Sequence, residues 1–338
     1  MGDQTVDLLA RLVRLGCVND LTADSGGEER AADLLEEFFA GLPVSIERIT
    51  PHPGRTSLVV TVEGADPRSA GTPLTLLGHT DVVPVDTAKW TRDPFGAQIE
   101  DDVMWGRGTV DMLHLTAAMA VVTREVARRA QEGAPLARSL VFVAAADEEA
   151  RGGLGVPWIG EKRPDALPWD AALSEMGGAH IFGRRGGDSV VVVVGEKGAA
   201  QRRLHIRGDA GHGSVPLGRT SAVERLSQVS AALSAARWPT ATDEVWAGFV
   251  RAFEFDETTE TSLINGTYEG DYSEFEDLAA FAHAISHVTV AQTVAHSGGP
   301  INVMPSHATL ELDIRTLPGV DDDDVDAAIA AALGDLAE

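Results

Sequence analysis

Apolar residues recur every three or four positions in several stretches of the chain, and this spacing predicts α-helices. The helices are expected over Val6–Leu15, Glu28–Ala40, Asp111–Ala130 and Asp321–Leu333. Short apolar runs between them predict β-strands over Val44–Ile49, Ser57–Val62, Leu74–Leu77, Ile99–Trp105, Ser139–Ala145, Asp170–Leu173 and Ser189–Val194. Strands that alternate with helices indicate an α/β fold in which helices cover a largely buried sheet.

Four separate segments end a predicted strand, or the turn after it, with a histidine or an acidic residue. They contribute His79, Asp111, the adjacent pair Glu148 and Glu149, and Glu175. Glycines flank each segment and permit tight turns. Because reactive groups gather just beyond the carboxyl ends of the strands in an open α/β sheet, we expect these four segments to converge on one site.

The residue types at these strand ends indicate metal-assisted hydrolysis. Imidazole and carboxylate ligands without a thiolate suit zinc, manganese or cobalt. A carboxylate can bridge two metals, and paired metals clamp a water and a carbonyl oxygen. Asp81 is a candidate to orient a metal-binding His79 through the second ring nitrogen. Two adjacent glutamates allow one to bind metal while its neighbour moves protons.

Composition and charge indicate the class of protein and exclude some kinds of binding partner. The 338 residues are 44% hydrophobic and 23% charged, which is typical of a soluble globular protein long enough for two domains. The net charge of −25 argues against nucleic acid or an anionic membrane as a partner. The single cysteine, Cys17, excludes an internal disulfide framework. With no N-terminal signal and no apolar run of membrane-spanning length, we expect a cytoplasmic protein.

The ordered motifs of the chain resemble one known family throughout most of its length. The matching segments are GHTDVVP (78–84), W…DPFGAQIEDDVMWGRGTVDM (90–112), DEEARGG (147–153), SEMGG (174–178), GEKG (195–198), GHGSVP (211–216), the pair Asn302 and Arg315, and TLPG (316–319). They resemble the co-catalytic zinc metallopeptidase and deacylase family of aminoacylase, acetylornithine deacetylase, succinyl-diaminopimelate desuccinylase and carboxypeptidase G.

The resemblance implies a two-zinc site, with cobalt or manganese as substitutes, and a role for each matched residue. The implied metal ligands are His79, Asp111, Glu149 and Glu175, with Asp111 bridging both ions. Asp81 would orient His79. Glu148 would be the general base that activates a metal-bridging water, which then attacks the amide carbonyl of the substrate.

The resemblance also implies a domain organisation. Residues 1–197 would form the metal-binding catalytic domain, a mixed sheet covered by helices, and residues 198–338 an inserted ferredoxin-like lid that mediates homodimerisation. In that lid His212 would reach the site of a neighbouring subunit and steady the tetrahedral intermediate. Asn302 and Arg315 would contact the substrate carboxylate or the oxyanion.

The chain departs from the family pattern at its C-terminal end. Family members return from the lid to the catalytic domain, where a late histidine supplies the last metal ligand, whereas no histidine follows Arg315 here. We therefore expect that the C-terminal part of the catalytic domain and the last strand of the lid are missing from this chain.

These motifs favour a hydrolase that cleaves the amide bond of small N-acyl amino acids or short peptides with a free carboxylate. Three alternatives stay open at this point. The first is a truncated, inactive fragment or pseudoenzyme, motivated by the missing histidine, and the second is a dipeptidase or aminopeptidase. The third is a structural or interaction module, which the four intact metal-site segments disfavour.

Overall fold

The computed structural model describes residues 1–22, 24–66, 71–150 and 152–337. Arg151, which belongs to the DEEARGG motif, lies outside the described residues. The chain divides into two compact units, Met1–Glu175 and Met176–Glu338. Each unit has its own apolar core.

The first unit combines four helices with seven strands in its described residues, in addition to two short 3₁₀ turns. Its elements are α1 (Gly2–Leu15), α2 (Glu29–Phe38), β1 (Ser45–His52), β2 (Arg55–Val62), β3 (Leu74–His79), β4 (Gln98–Glu100), β5 (Val103–Trp105), α3 (Leu113–Gln131), β6 (Leu140–Ala145), α4 (Val156–Lys162) and β7 (Ala172–Leu173).

Five of these strands form a mixed sheet in the order β1-β2-β6-β3-β7. The pairs β1–β2 and β2–β6 are antiparallel, whereas β3 runs parallel to both β6 and β7. All six residues of β6 are buried, as a continuous apolar strand between two covered faces should be. Helices α1, α2 and α3 supply much of the core that the sheet packs against. The mixed α/β fold predicted from the sequence is confirmed for this unit.

Helix α3 and strand β3 approach each other closely at Gly78. A Cβ atom at this position would lie 2.5 Å from the hydroxyl oxygen of Thr116 on α3, so a larger residue would push the helix from the sheet. The Thr116 hydroxyl donates to the backbone carbonyl of His79 over 2.8 Å. Glycine at 78 therefore fixes the end of β3 against the helix that follows Asp111.

The run Ile99–Trp105, predicted as one strand, is a hairpin. Strands β4 and β5 pair antiparallel, and the turn between them is Asp101-Asp102. Both aspartates have positive φ, 50° and 62°, a backbone region that aspartate enters more readily than most residues. The single-strand prediction was wrong because two adjacent aspartates inside an apolar run mark a turn.

The second unit contains a separate sheet with helices around it. Its elements are β8 (His180–Phe182), β9 (Asp188–Val190), β10 (Gly198–Ala199), β11 (Arg202–Arg207), β12 (Gly211–His212), α5 (Ala222–Ala235), α6 (Glu244–Ala252), α7 (Glu257–Ile264), α8 (Ala279–Ser286), β13 (Thr289–Ser297), β14 (Val303–Met304), β15 (His307–Thr316) and α9 (Asp322–Leu333).

Strand β15 is the centre of this second sheet. It pairs antiparallel with β11 and β10 along one edge and with β13 along the other. Its residues alternate between buried and more exposed positions, so one face packs on the core with α5 and α9. Within the described residues β13 has β15 as its strand neighbour on one side, which leaves its other edge unpaired.

Residues 176–197, which the sequence assigned to the first domain, belong to the second compact unit. Ile181 and Val191 pack with the second core. The predicted strand Ser189–Val194 is shorter in the structure, where β9 ends at Val190. The division into a catalytic and a lid domain at residue 197 stays a prediction.

Within the described residues, none of the helices combines the length and the apolar character that crossing a membrane requires. The cytoplasmic location expected from the sequence stays a prediction.

Candidate metal centre

The first unit gathers most of the predicted site residues at one edge of its sheet. His79 is the last residue of β3, Glu148 and Glu149 follow the end of β6, and Glu175 lies two residues beyond β7. Because β3, β6 and β7 are adjacent and parallel, their carboxyl ends lie at the same edge. In the β3–β6 pairing His79 stands opposite Ala145, which places the two following segments side by side.

His79, Asp111 and Glu175 form a compact group of donor atoms. One ligand atom from each lies within 4.8 Å of the other two. The Nε2 atom of His79 is 3.2 Å from Oδ1 of Asp111 and 3.8 Å from Oε2 of Glu175. Oε2 of Glu148 lies 3.7 Å from the same nitrogen. Two of the predicted metal ligands, Asp111 and Glu175, and the predicted base therefore face the Nε2 atom of a third predicted ligand, His79.

The orientation of the His79 ring is set by its other nitrogen. Nδ1 lies 3.0 Å from the backbone carbonyl oxygen of Asp81 and 3.5 Å from its carboxylate. Since a carbonyl oxygen only accepts, Nδ1 carries the proton of this hydrogen bond, and Nε2 is the nitrogen that could bind a metal ion in place of its own proton. Both residues are buried. Asp81 is placed as the orienting role requires, and the role itself stays a prediction.

The carboxylate of Asp81 also holds the backbone of the two glutamates. Its Oδ1 accepts from the backbone N–H of Glu148 over 3.2 Å, and its Oδ2 accepts from that of Glu149 over 3.0 Å. Burial raises the pKa of Asp81, but hydrogen bonds from His79 and Asn19 outweigh it and hold that pKa below its ordinary value. Asp81, on the segment that follows β3, is thus an ionised carboxylate that holds the segment that follows β6 through hydrogen bonds.

The charge balance at the cluster suits a divalent cation. Burial lowers the pKa of His79, yet the hydrogen bond with Asp81 and the charges of Asp81, Glu148 and Glu175 raise it to about 9. Burial and the neighbouring charge of Asp111 raise the pKa of Glu149 to about 7. The cluster thus offers carboxylate oxygens and one imidazole nitrogen as ligands. Zinc, manganese and cobalt accept this set of donors. The residues present therefore fit a metal ion.

A buried polar network beneath the cluster was not predicted from the sequence. It joins Asn19, Glu28, Arg55, Asp81 and Asp147, each at most 4% exposed. Arg55 donates to Glu28 over 2.6 Å and lies 3.4 Å from Asp147, and the backbone N–H of Asp147 donates to Glu28 over 3.1 Å.

Two sequence signals could have indicated this network. Arg55 precedes the apolar run Leu58–Val60 in β2, and a charged residue that is buried in such a strand needs a partner. The second signal is the glycine at position 26 in the Ser25-Gly26-Gly27 segment. Its φ is +79°, and a Cβ there would lie 2.2 Å from the Arg55 guanidinium. That glycine therefore lets the chain pass over the buried ion pair of Arg55 and Glu28.

The second unit brings two further predicted residues together. His212 on β12 stands opposite Val303 on β14, and the N–H of Gly213 donates to the backbone carbonyl of Asn302 over 2.7 Å. His212 and Asn302 are both exposed. The backbone N–H of Ser214 donates to Nδ1 of His212 over 3.2 Å, so the ring proton is on Nε2.

Arg315 lies apart from that pair. It is near the end of β15, whereas the β12–β14 ribbon precedes the start of β15 at His307. Its guanidinium donates to Asp313, two residues earlier on the same strand, through Nε over 3.1 Å and Nη2 over 3.4 Å. About half of the Arg315 side chain is exposed.

Sequence comparisons match most of the chain to known enzymes. The family model described as "Peptidase family M20/M25/M40" matches residues 75–337. An acetylornithine deacetylase of Erwinia tasmaniensis is 28% identical over 305 residues, which cover 90% of this chain and 65% of that protein. A succinyl-diaminopimelate desuccinylase of Shewanella loihica is 32% identical over 174 residues, covering 51% of this chain and 44% of that protein. The chain thus spans less than two-thirds of the length of these relatives.

Solved structures match the fold over nearly the whole chain. An M20 family metallo-carboxypeptidase from Sulfolobus solfataricus superposes with a TM-score of 0.68 at 20% identity, covering 99% of this chain and 76% of that chain. A dipeptidase from Saccharomyces cerevisiae gives a TM-score of 0.59 at 17% identity, covering 99% of this chain and 74% of the other. At these identities the matches concern the fold.

Proposed function

The chain belongs to peptidase family M20/M25/M40, and from this membership we propose that it is a metal-dependent hydrolase of small N-acyl amino acids or short peptides with a free carboxylate. The observation that carries the proposal is the convergence of His79, Asp111 and Glu175 within 4.8 Å. Two relatives are named for deacylation reactions, a deacetylase and a desuccinylase, which supports an amide bond as the target.

In the proposed centre the chain supplies ligands for two zinc ions, for which cobalt or manganese can substitute. His79, Asp111 and Glu175 would hold the first ion, and Asp111 and Glu149 would hold the second. A bound divalent ion of this kind polarises the substrate carbonyl and lowers the pKa of water. Burial, and after it the charge of Asp111, raise the pKa of Glu149 to about 7, and a bound cation would oppose both effects by favouring the ionised carboxylate.

Glu148 carries the proposed proton transfers. Its carboxylate reaches to 3.7 Å from Nε2 of His79, while about half of the side chain stays exposed. The Asp81 carboxylate fixes its backbone N–H, so the side chain can move a proton without losing the position of its main chain. Glu148 removes a proton from the attacking water and then delivers it to the leaving amine.

The second unit is proposed as the ferredoxin-like lid and dimerisation domain. In the part of the chain that the structure describes, one edge of β13 is unpaired, and this supports an assembly with a second copy, because exposed strand edges invite pairing. His212, exposed beside Asn302, is proposed to steady the tetrahedral intermediate in the neighbouring subunit. Asn302 is proposed to contact the oxyanion or the substrate carboxylate.

Arg315 is proposed to bind the carboxylate of the substrate. A guanidinium offers a planar pair of donors that matches a carboxylate, and Asp313 already holds the Arg315 fork in one orientation. A substrate carboxylate would then share or replace the contact with Asp313. This contact would make a free carboxylate part of the recognised substrate.

A substrate panel tests the proposal. The chain is incubated with zinc, manganese or cobalt and offered N-acetyl amino acids, N-succinyl amino acids, dipeptides and amino-acid amides, while release of free amine is measured. We expect turnover of the carboxylate-bearing substrates. Arg315→Ala should raise KM for them, whereas Arg203→Ala, which removes another exposed arginine paired to an acid on the same sheet, should not.

Two results would contradict the substrate proposal. Preference for amides without a carboxylate would indicate an aminopeptidase instead. Metal binding without turnover of any substrate would favour the inactive-fragment alternative.

Metal binding is tested separately through thermal unfolding. A ligand that binds the folded state stabilises it by about 2.7 kcal/mol at a concentration of 100 Kd. Zinc should therefore raise the melting temperature of the unchanged chain. The increase should be lost in Asp111→Asn and kept in Asp165→Asn, which changes an exposed aspartate elsewhere in the first unit.

A further inference from the structure

Asn19 lies between the two segments that follow β3 and β6. Its side-chain Nδ2 donates to Oδ2 of Asp81 over 2.8 Å and to Oδ1 of Asp147 over 3.1 Å. Asp81 is two residues beyond His79, and Asp147 immediately precedes Glu148. One amide group therefore ties together the segments that present the histidine and the glutamates of the proposed centre.

The amide of Asn19 can be placed in only one orientation. Its Oδ1 accepts from Nη2 of Arg55 over 3.1 Å and from the backbone N–H of Leu21 over 3.1 Å. A guanidinium has no acceptor, so the oxygen must face Arg55 and both amide protons must face the two carboxylates. A carboxylate at position 19 would satisfy Arg55 and repel Asp81 and Asp147.

The main chain around Asn19 is fastened to the segment after β3. Val18 and Val82 form a parallel bridge. The N–H of Asn19 donates to the carbonyl of Val82 over 2.9 Å, and the N–H of Val82 donates to that of Cys17 over 3.0 Å. With its backbone held on the His79 side, Asn19 extends its side chain across to Asp147.

The buried charges explain why a neutral side chain, that of Asn19, lies between Asp81 and Asp147. Three buried carboxylates, Glu28, Asp81 and Asp147, lie around a single buried guanidinium, Arg55, which contacts Glu28 and Asp147. Asp81 and Asp147 would repel each other without a donor between them, because like charges in a low-dielectric interior interact strongly. Two protons of one amide satisfy both and add no charge.

We propose that Asn19 is a positioning residue that sets the separation of His79 from Glu148 and Glu149 through Asp81 and Asp147. The proposal rests on the metal centre of the proposed function and not on its substrate. A change at Asn19 should alter the metal site without removing any ligand, since residues behind the ligands typically affect metal affinity by about 10–100-fold.

The test uses the whole chain and Co²⁺ as the probe, with metal affinity measured by calorimetry and ligand geometry by the visible absorption of bound cobalt. Asn19→Asp is nearly isosteric, and Asn265→Asp makes the same change at an exposed asparagine of the second unit. We expect Asn19→Asp to weaken Co²⁺ binding at least about tenfold and to change the cobalt spectrum. Asn265→Asp should leave both unchanged.

A double variant identifies the contact that carries the effect. In Asn19→Asp combined with Asp147→Asn, donor and acceptor are exchanged between positions 19 and 147, and the number of buried carboxylates returns to that of the unchanged chain. Part of the lost Co²⁺ affinity should return, so the two single changes should not add. Strict additivity would overturn the proposal, as would unaltered affinity in a folded Asn19→Asp.

Circular dichroism of the metal-free variants separates positioning from unfolding. If Asn19→Asp does not fold, the measurement is made on Asn19→Ala, which removes the amide without adding charge. Unaltered affinity and spectrum there would equally overturn the proposal. None of these readouts requires turnover, so a wrong substrate class leaves them intact, whereas an unchanged chain that binds no Co²⁺ would refute the metal centre together with this inference.

Discussion

The carboxylate of Asp81 accepts a hydrogen bond from the backbone N–H of Glu149 over 3.0 Å, although 68 positions separate the two residues. The other carboxylate oxygen accepts from the N–H of Glu148 over 3.2 Å. Both oxygens therefore hold backbone donors of the glutamate segment, while the backbone carbonyl of the same residue accepts a hydrogen bond from Nδ1 of His79. Asp81 couples the position of a proposed ligand to that of the proposed base.

This coupling predicts a large effect of Asp81→Asn on metal binding. An amide has one oxygen for the two backbone donors, so at least one N–H would face an NH₂ group and lose its partner. We expect Zn²⁺ affinity, measured by calorimetry, to fall by about 10–100-fold. The exposed Asp165→Asn serves as the control, and a folded Asp81→Asn variant with unchanged affinity would contradict the prediction.

Glu148 should be dispensable for metal binding and essential for turnover. Its carboxylate lies 3.7 Å from Nε2 of His79, while about half of the side chain is exposed. A group that exchanges protons with bound water needs this access to solvent. We expect Glu148→Ala to retain its metal, measured by elemental analysis, and to lose about 10²–10⁴-fold in kcat. Glu161→Ala, at an exposed glutamate of α4, is the matched control. Near-normal kcat in Glu148→Ala would remove Glu148 from the mechanism.

The edge of the sheet at which the site forms could be predicted from the apolar pattern alone. Leu74–Leu77 and Ser139–Ala145 are short apolar runs followed by polar residues, and the structure makes β3 and β6 parallel neighbours. Reactive groups gather beyond the carboxyl ends of parallel strands, so His79 and Glu148 could be expected at one edge without any knowledge of the fold family. Local sequence carries this information because a strand that is covered on both faces is usually a nearly continuous apolar run.

The partners of Asn19 and Arg55 could not be identified in the same way. Neither residue lies on a periodic pattern or beside a metal-site motif, and their partners are far along the chain: Arg55 lies 27 positions from Glu28, and Asn19 lies 128 from Asp147. Such contacts exist only after the tertiary fold has brought the segments together. A buried polar network is satisfied by geometry that the sequence spacing does not encode.

Cys17 should be unreactive in the folded protein. It is buried in the first core, and burial raises the pKa of its thiol to about 11. Because the thiolate is the reactive form, a disulfide reagent such as DTNB should release no colour at pH 8 from the native chain and one equivalent after denaturation. Rapid reaction of the native protein would show that the segment from α1 to Asn19 opens.

Lys197 should make stability depend on pH in the alkaline range. Burial and the charge of Arg315 lower the pKa of Lys197 to about 8, while its Nζ donates to the carbonyls of Ala284 and His287. The unfolded chain, with an ordinary lysine pKa of about 10.4, then binds the proton more tightly than the folded chain. Between these two values the contribution of Lys197 to the free energy of unfolding should therefore rise with pH.

The difference between the unchanged chain and Lys197→Met isolates this effect. Urea unfolding at a series of pH values should show the unchanged chain gaining stability relative to the variant as pH rises from about 8 to 10.4. A difference that stays constant across that range would mean that the lysine titrates alike in the folded and unfolded states. Lys162→Met, at an exposed lysine of α4, is the control for loss of a charge.

His212 should act on the site of a partner subunit. The residue is exposed on the β12–β14 ribbon of the second unit, with its Nδ1 held by Ser214, so that Nε2–H is available for a hydrogen bond outside its own ribbon. The edge of β13 that no described strand pairs with offers a surface for a second copy. The prediction is tested by mixing two inactive variants, His212→Ala and Glu148→Ala, under conditions that exchange subunits.

In a mixed dimer, the His212→Ala chain keeps Glu148 and receives the intact His212 of its partner, so one of the two sites is complete. Random exchange makes half of the dimers mixed, and about one quarter of the sites should then recover activity. Mixing His212→Ala with the double variant His212→Ala/Glu148→Ala should restore none. If native mass spectrometry detects mixed dimers and no activity returns, His212 acts within its own chain or not at all.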